Sequence, residues 1–531
     1  MDAAKTSFSL KSLTAALLLW ALLLHGLFLV SAGALWRDEA NSVNQAAAAS
    51  WTGLWESLRY DSFPALYAAL LRILLPGSPS SSTSPLRMMG VAVGIALLVS
   101  LWQVGRMLGS RFPVILLALL AIDPVFISEG DSIRPYGIGL LCVLWSYCAY
   151  AKLMLKPSLS WLMVASIFSV LAVQAGYTAA IFIGALALSA GIAVLASHSR
   201  GMLWRILLPG FLASLSLAPY IHTLQESREW ISVLHYEVNW GEYLRGYLHT
   251  HSAASFIAWL AAASLGVYSV LRICDRGVDN PEGALNVYSS LAAATGVIAQ
   301  VLFVQMMGIP TFPRYFLPGL LLAGLGLEVL TRDLRPSIRA VTALFVMLVT
   351  AWPAWSWVRL RHSNVDLVAR ALDDNAKPVD LVIISPWFLH PSFQLYYRGQ
   401  ASWATVPDLP HQSLTRYDLV REAMTDPERE QRLQKRMKQA LSNGGAIWFV
   451  SQSFPERPAE MVLPAAPVFT VRPGGGDYVR FRSYWERTII FRLYDCCKPV
   501  EWLLPRSGPV WQEENLVLTR WQLDGGNRAN K

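Results

Sequence analysis

The chain is organised as apolar blocks of about 20 residues separated by short charged segments. The first block, from Ser12 to Trp36, contains no Lys, Arg, Asp or Glu. Because an α-helix rises about 1.5 Å per residue, about 20 apolar residues cross the hydrocarbon core of a bilayer. Only 15% of the 531 residues are charged, whereas a soluble domain carries charge on about 25%. This pattern predicts a polytopic membrane protein.

The apolar blocks predict about eleven membrane-spanning helices. They cover approximately residues 13–35, 87–108, 112–128, 136–155, 159–177, 178–197, 203–222, 252–272, 287–308, 314–330 and 338–358. The first block ends in small residues, Ala32-Gly33-Ala34, as a signal-peptide cleavage site does. Its apolar run is longer than the usual signal-peptide core of about 7–15 residues, so we predict a retained helix.

The basic residues support this number of spans. If the N-terminus lies inside, the loops after the even-numbered spans are cytoplasmic, where Lys and Arg are enriched in membrane proteins. These loops contain Arg106, Arg111, Lys152, Lys156, Arg200, Arg205, Arg272, Arg276, Arg332, Arg335 and Arg339. The acidic and aromatic-rich loops and the C-terminal region then lie outside. Eleven spans without targeting motifs favour a bacterial cytoplasmic (inner) membrane, with the acidic loops and the C-terminal domain on its outer side.

The first outer loop, residues 36–86, predicts two helices at the membrane surface. Apolar residues between Val43 and Leu58 recur near helical spacing. The apolar segment 62–77 is too short to span a bilayer.

The C-terminal third is more polar and predicts a small soluble α/β domain. Residues 380–385 and 446–451 have the composition of buried strands, and a charged helix is expected over about 417–442. The segment 478–494 is rich in strand-forming residues. We therefore expect an all-α transmembrane domain over 1–358 and an extracytoplasmic α/β domain over 359–531.

Composition and short motifs argue against three common classes of binding protein. The net charge is +8, but the basic residues lie in short loops and form no stripe suited to nucleic acid. The five cysteines form no CxxC pair, which argues against a zinc finger. The chain also has no GxGxxG and no P-loop sequence.

Two adjacent carboxylates, Asp38 and Glu39, follow the first apolar block. The ordinary alternative to a functional role is that these two acids are interfacial charges that end a helix. Membrane proteins use Lys and Arg to fix their topology, so acidic residues are not needed for that purpose. Adjacent residues on a helix do not face each other. We therefore expect one carboxylate to face a reaction site and the other to be structural or to bind a partner.

The second outer loop, SEGDSIRPY, supplies further candidates in Glu129, Asp131, Arg134 and Tyr136. An ordinary polar turn is the alternative interpretation of this loop. The acids of this loop and of the first loop could contact substrate or hold a divalent metal.

The remaining outer loops supply four more candidates. His235 and Glu237 lie in the loop 223–251 as substrate or metal contacts, although no spacing singles out a ligand set. Arg314 and Tyr315 open a span on the outer face, against the positive-inside trend. A guanidinium there suits a lipid phosphate, which it can bind in bidentate fashion. Snorkelling to lipid headgroups is the alternative.

The order of these motifs resembles that of the GT-C glycosyltransferases, which use a polyprenyl-phosphate sugar donor. The resemblance covers roughly residues 10–330 and rests on LWRDEA, SPLRMMGVAVGI, IDPVFISEGDSIRPYGIGLL and RYFLPGLLLAGLG. Within the superfamily the chain is similar to the family-39-type branch. That branch includes protein O-mannosyltransferases, the lipid A aminoarabinose transferase and rhizobial lipopolysaccharide sugar transferases.

The resemblance implies a glycosyltransferase that moves a sugar to an acceptor hydroxyl of a lipid, glycan or protein at the outer face, with inversion. It implies catalysis by the acidic motif Asp38-Glu39, with Asp38 as the base. It also implies donor-phosphate contacts from Arg134, Tyr136, Arg314 and Tyr315. The segment Phe63-Pro64-Ala65 departs from the paired-proline or histidine–proline start of this region in the family.

Two other classes remain as alternatives. A transporter or flippase of lipid-linked glycan would place ionisable groups within the membrane and often has repeated halves. The spans here are almost free of charge, Glu328 being an exception, and no internal repeat is evident. A non-catalytic scaffold would explain the soluble domain but would leave the outer acids without a role.

Overall fold

The computed structural model describes residues 2–74, 83–197, 200–231, 253–273, 280–308, 312–411, 413–458, 461–469, 477–505 and 508–524. In the transmembrane part the helices are α1 Asp2–Ser31, α2 Arg37–Ala46, α3 Trp51–Ser57, α4 Ala65–Leu74, α5 Ser84–Met107, α6 Pro124–Gly130, α7 Tyr136–Leu155, α8 Leu159–Ala175, α9 Ala179–Ala196, α10 Leu203–Leu215, α11 Ile221–Ile231, α12 Ala253–Ile273, α13 Pro281–Met307, α14 Leu317–Thr331 and α15 Pro336–Val358. They are followed by α16 Val365–Asn375, α17 His390–Tyr396, α18 Tyr417–Thr425, α19 Glu428–Ser442 and α20 Asp477–Cys496.

Within the described ranges, nine helices are long and apolar enough to span a membrane. The other two predicted spans are helical but differ in form. Helix α8 has 17 residues, and the span predicted over 112–128 is divided into Val114–Leu116, a π-helical turn Leu117–Ala121 and α6. The break occurs because Pro124 starts a new helix and the Asp123 carboxylate caps it, accepting from the Val125 amide at 3.0 Å.

Helix α1 packs as an integral part of the bundle. Its fully buried residues, Leu17, Ala21, Leu24 and Phe28, are spaced by four, three and four positions and so share one helix face. This face lies against α5 and α15, which is the arrangement expected of a retained span.

The first outer loop is helical as predicted but forms three helices, α2, α3 and α4, rather than two, because Ser50 caps a new helix within the segment predicted as one. Helix α4 covers Ala65–Leu74 and is only 10 residues long, so it cannot cross a bilayer. Helix α2 packs against α4 and against α17 of the C-terminal region.

The C-terminal region contains a five-stranded mixed sheet with the order β2-β1-β3-β5-β4. The strands are β1 Leu381–Ile384, β2 Ser402–Thr405, β3 Ile447–Ser451, β4 Cys497–Leu503 and β5 Val517–Leu523. Strand β1 pairs in parallel with β2 and β3, while β5 runs antiparallel to β3 and β4. Strands β1 and β3 confirm the two predicted strands, and both are buried throughout, as continuous apolar runs in a parallel sheet are.

Two expectations for this region need correction. The segment 478–494 is helical, within α20, and not a strand. Its buried residues Phe481, Trp485, Ile489 and Leu493 recur every four positions, so burial of one helix face overrides their preference for strands. The charged helix predicted over 417–442 is two helices, because Pro427 interrupts it.

The first outer loop and the C-terminal region share one hydrophobic core. Ala40, Val43 and Tyr67 from the outer loop, and Leu35 just before it, belong to the same buried cluster as Trp387 from the C-terminal region. The Leu35 amide donates to the Tyr396 hydroxyl at 2.8 Å. The division at residue 358 stays a prediction, but the C-terminal region is packed directly onto the loop that carries Asp38 and Glu39.

A buried ion pair closes the opposite, predicted cytoplasmic end of the bundle. Glu328 of α14 pairs with Arg339 of α15 and accepts hydrogen bonds from the Ser110 hydroxyl at 2.6 Å and the Leu116 amide at 2.9 Å. Arg339 also donates to the Phe112 carbonyl at 2.8 Å. This network accounts for Glu328, an acidic residue that the sequence places within a predicted span.

We expect Glu328→Ala to destabilise the protein strongly, because it leaves the buried Arg339 without its counter-ion, at a cost of about 3–5 kcal/mol. The measurement is the thermal unfolding midpoint of the purified protein in detergent. Asp333→Ala is the matched control, since the Asp333 side chain is 58% exposed beside Arg332. Equal midpoints for the two variants would contradict a stabilising role for the buried pair.

Candidate active site

Helix α2 places the two adjacent carboxylates in its first turn. The positive end of the helix dipole favours acidic side chains there. The Glu39 side chain bends back and accepts a hydrogen bond from the Trp36 amide at 3.3 Å, closing the start of the helix. Asp38 and Glu39 point into different surroundings, as neighbours on a helix must.

Glu39 is completely buried and binds three parts of the chain together. Its Oε1 accepts from Arg87 of α5 at 2.5 Å and from the Ile133 amide of the second loop at 2.9 Å. Arg87 in turn donates to the Ala34 carbonyl at 2.9 Å. Glu39 therefore fixes α2 relative to α5 and to the loop 128–136.

The electrostatic surroundings keep Glu39 ionised. Burial by itself raises the pKa of this carboxyl, but the charge of Arg87, with a smaller contribution from His362, lowers it. Hydrogen bonds from Arg87 and from the Ile133 amide act in the same direction. The net effect is a pKa below the ordinary value of a glutamate, so the residue holds a charge that the fold requires.

Asp38 faces Arg314, which lies 276 positions later in the chain. The Asp38 side chain is 27% exposed, and its Oδ2 lies 3.4 Å from Arg314 Nη2. The Arg314 side chain is only 8% exposed, and its Nε has no hydrogen-bond partner among the described residues. Four aromatic rings surround this guanidinium, with centroids 4.4 to 5.9 Å from Cζ: those of Phe312, Trp36, Tyr315 and Tyr136.

Arg134, from the second outer loop, also lies beside helix α2 but is already engaged. Its Nη1 donates to the Asp38 carbonyl at 3.0 Å and to the Ser42 hydroxyl at 2.8 Å. Nη2 lies 3.9 Å from Asp61, and the guanidinium sits over the Phe63 ring at 4.7 Å. Arg134 therefore holds α2 in place through the backbone of Asp38.

The two acids of the second loop occupy different environments. Glu129 lies near Arg314, and its buried Oε2 has no hydrogen-bond partner in the described part of the chain. Burial raises its pKa to about 7, although Arg314 acts in the opposite direction. Asp131 is fully buried instead, with both carboxylate oxygens 2.8 Å from His25 Nδ1.

The glycines of α5 make the Asp131 arrangement possible. A Cβ at Gly90 would overlap the Asp131 carbonyl oxygen, and a Cβ at Gly94 would overlap Asp131 Oδ1. The second loop therefore packs directly on the backbone of α5, which brings Ile133 and Arg134 to α2.

Three of the acids predicted as possible metal ligands are engaged with basic side chains. Asp38, Glu39 and Asp131 each face a basic side chain. Across the described ranges no three His, Cys, Asp or Glu side chains gather in a metal-binding group. His235 and Glu237 lie outside the described residues.

Several residues at this site were not singled out from the sequence. Arg87 had a signal, because it opens a span at its predicted outer end and so runs against the positive-inside trend, as Arg314 does. Arg37 contacts Glu513 and Glu514 near the C-terminus. No local pattern could reveal that contact, because more than 470 positions separate the partners.

No family model and no curated protein matches this chain. Among solved structures it is similar to ArnT from Cupriavidus metallidurans bound to undecaprenyl phosphate, with 13% sequence identity over 82% of this chain and 93% of that chain and a TM-score of 0.55. It is also similar to ArnT from Cupriavidus metallidurans in the apo state, with the same identity and coverage and a TM-score of 0.51. At this identity the likeness shows the fold alone, and it confirms the expected architecture: a helical membrane domain with the fold of ArnT, followed by a small α/β part.

Removing the charge from Glu39 should unfold the site, whereas the same change at Asp38 should not. Glu39→Gln leaves the buried Arg87 uncompensated, so we expect it to lower the free energy of unfolding by about 3–5 kcal/mol. Asp38→Asn removes a partly exposed pair and should cost about 1 kcal/mol or less. Thermal unfolding midpoints in detergent measure the difference. A midpoint for Glu39→Gln as high as that of Asp38→Asn would show that the buried pair does not support the fold.

Proposed function

We propose that this protein is a membrane glycosyltransferase that moves a sugar from a polyprenyl-phosphate carrier to an acceptor hydroxyl. The observation that carries the proposal is the placement of a partly exposed carboxylate, Asp38, beside a buried arginine, Arg314, with unused hydrogen-bonding capacity. The arrangement places a group that can accept a proton next to a cation that can bind a phosphate. The fold shared with ArnT, whose structure contains undecaprenyl phosphate, supports the same reaction class.

Asp38 is the general base in this proposal. Its side chain is accessible, while its backbone is fixed by Arg134. A base must come within about 2.6–3.2 Å of the proton that it removes. The buried Glu39 is occupied by Arg87 and the Ile133 amide, so it supports the helix rather than the chemistry.

Arg314 binds the carrier phosphate. Its weak contact with Asp38, at 3.4 Å, leaves donors available, and Nε is buried without a partner in the described structure. A guanidinium can contact two phosphate oxygens at once. The aromatic rings around it exclude water, which strengthens the electrostatic interaction. Tyr136 and Tyr315 lie beside the Arg314 guanidinium and remain predicted phosphate contacts.

The reaction is a single displacement at the anomeric carbon. Asp38 takes the proton of the acceptor hydroxyl, and the acceptor oxygen forms a bond to the anomeric carbon as the bond to the phosphate oxygen breaks. The leaving group is a phosphate monoester with a second pKa of about 6, so its departure needs no strong acid. Arg314 offsets the charge that develops on it. Attack opposite to the leaving group inverts the anomeric configuration.

The protein is a multi-pass membrane protein, and we place the reaction at the outer face of a bacterial inner membrane. The support is the basic composition of the loops at the other end of the bundle. The C-terminal α/β region packs on α2 and therefore lies on the same side as Asp38. The acceptor, whether lipid, glycan or protein, would approach from the aqueous side.

Asp38→Asn should reduce sugar transfer by about 10²–10⁴-fold, the usual contribution of a general base. The assay incubates purified protein in proteoliposomes with radiolabelled undecaprenyl-phosphate hexoses and pentoses and with an envelope extract as acceptor. Normal turnover by this variant would remove Asp38 as the base. Movement of intact labelled donor across the bilayer without transfer would favour a flippase instead.

Arg314→Gln should weaken binding of radiolabelled undecaprenyl phosphate by roughly 10–100-fold, because a charge-assisted contact contributes about 1.5–3 kcal/mol. Arg359→Gln is the matched control, since Arg359 is an exposed arginine at the same end of the bundle. Acceptor binding should change little in either variant. Equal loss of donor and acceptor binding in Arg314→Gln would argue against a phosphate role.

A further inference from the structure

We propose that Glu514, near the C-terminus, is a positioning residue for Asp38 and acts through Arg37. This inference rests on the proposed function and assigns the C-terminal region a part in the same site. The juxtaposition that carries it is a single guanidinium, that of Arg37, held between the carboxylates of Asp38 and Glu514.

Arg37 is the first residue of α2 and lies directly before Asp38. Its Nε is 3.9 Å from Asp38 Oδ1, and its Nη1 is 3.6 Å from Glu514 Oε1. The guanidinium also lies over the Phe388 ring of the C-terminal region, 4.5 Å from its centroid. The Arg37 side chain is 16% exposed, so its contacts are largely shielded from water.

Glu514 and its neighbour Glu513 differ in their surroundings. The Glu514 side chain is completely buried, whereas that of Glu513 is 45% exposed. Burial raises the pKa of Glu514 to about 7, although the charge of Arg37, whose Nη1 lies 3.6 Å from Oε1, acts in the opposite direction. Glu513 also approaches Arg37, at 3.3 Å, but an exposed pair is screened by solvent.

The segment that carries Glu514 is rigidly attached to the bundle. The Trp511 amide donates to the Arg361 carbonyl at 2.8 Å, just after the last span. The Trp511 ring meets the Trp36 ring edge to face, 5.4 Å between centroids. The Asn364 side chain donates to the Leu516 carbonyl at 2.8 Å. Glu514 is therefore fixed relative to the start of α2.

Arg37 is thus shared between Asp38 and Glu514, and its Nε stays 3.9 Å from Asp38 Oδ1, beyond hydrogen-bonding distance. Without the charge of Glu514, Arg37 would be free to turn towards Asp38 and pair with it at hydrogen-bonding distance. That pairing would compete with Arg314 for the same carboxylate and reorient the proposed base. A displacement of about 1 Å in a catalytic group can cost about 10²-fold in rate.

The test compares Glu514→Gln with Glu513→Gln, a control one residue away on the same short helical turn. In Glu514→Gln we expect kcat for transfer from radiolabelled undecaprenyl-phosphate sugar to fall by about 10–100-fold, while the donor KM stays within about twofold. Glu513→Gln should stay close to wild type. Because Glu514 acts through Arg37, the double variant Arg37→Gln/Glu514→Gln should lose no more than Arg37→Gln alone.

Hydrogen exchange tests the positioning without any need for activity. The amides at the start of α2 should exchange faster in Glu514→Gln than in wild type or Glu513→Gln. If wild-type protein transfers no sugar, the proposed function fails. The hydrogen-exchange result still shows whether Glu514 stabilises the start of α2 through Arg37. Unchanged exchange in Glu514→Gln, a fall in kcat that is additive with Arg37→Gln, or an equal effect of Glu513→Gln would overturn the proposal.

Discussion

The buried pair between Glu39 and Arg87 is the interaction on which the rest of the site depends. Removing two ions from water is costly, and their attraction repays this only when geometry and further hydrogen bonds are good. Here Oε1 of Glu39 also accepts from the Ile133 amide, and Arg87 also donates to the Ala34 carbonyl. One pair thus joins the end of α1, the start of α2, the start of α5 and the second loop. Asp38 is left as the accessible carboxylate.

Around that pair, long-range contacts from several directions restrain α2. Arg134 holds its backbone, Arg314 faces its exposed carboxylate, and the C-terminal region packs along its other side. The proposed site, between a lipid-borne donor and a water-side acceptor, would have to stay ordered at the membrane surface. The shared core with the C-terminal region supplies that order, which gives this region a structural part in the site.

Much of the fold follows from local pattern. The apolar blocks define the helices because a bilayer requires every backbone group to be satisfied within the segment. The short amphipathic helices of the first outer loop and the strands β1 and β3 follow from periodicity and apolar runs in the same way. The segment 478–494 is rich in aromatic and β-branched residues, which favour strands locally. It forms helix α20 instead, because burial of Phe481, Trp485 and Ile489 on one face stabilises a helix.

The sequence by itself determined the transmembrane character, the predicted sidedness and the prominence of Asp38, Glu39, Arg134 and Arg314. Those properties depend on residue type and on position relative to a span. Only the tertiary structure decided that Glu39 is the buried, paired carboxylate and Asp38 the accessible one, that Arg134 binds backbone, and that Glu514 reaches Arg37. The reason is physical: burial and ion pairing depend on what the fold brings within a few ångströms, and these partners lie tens to hundreds of positions apart in the chain.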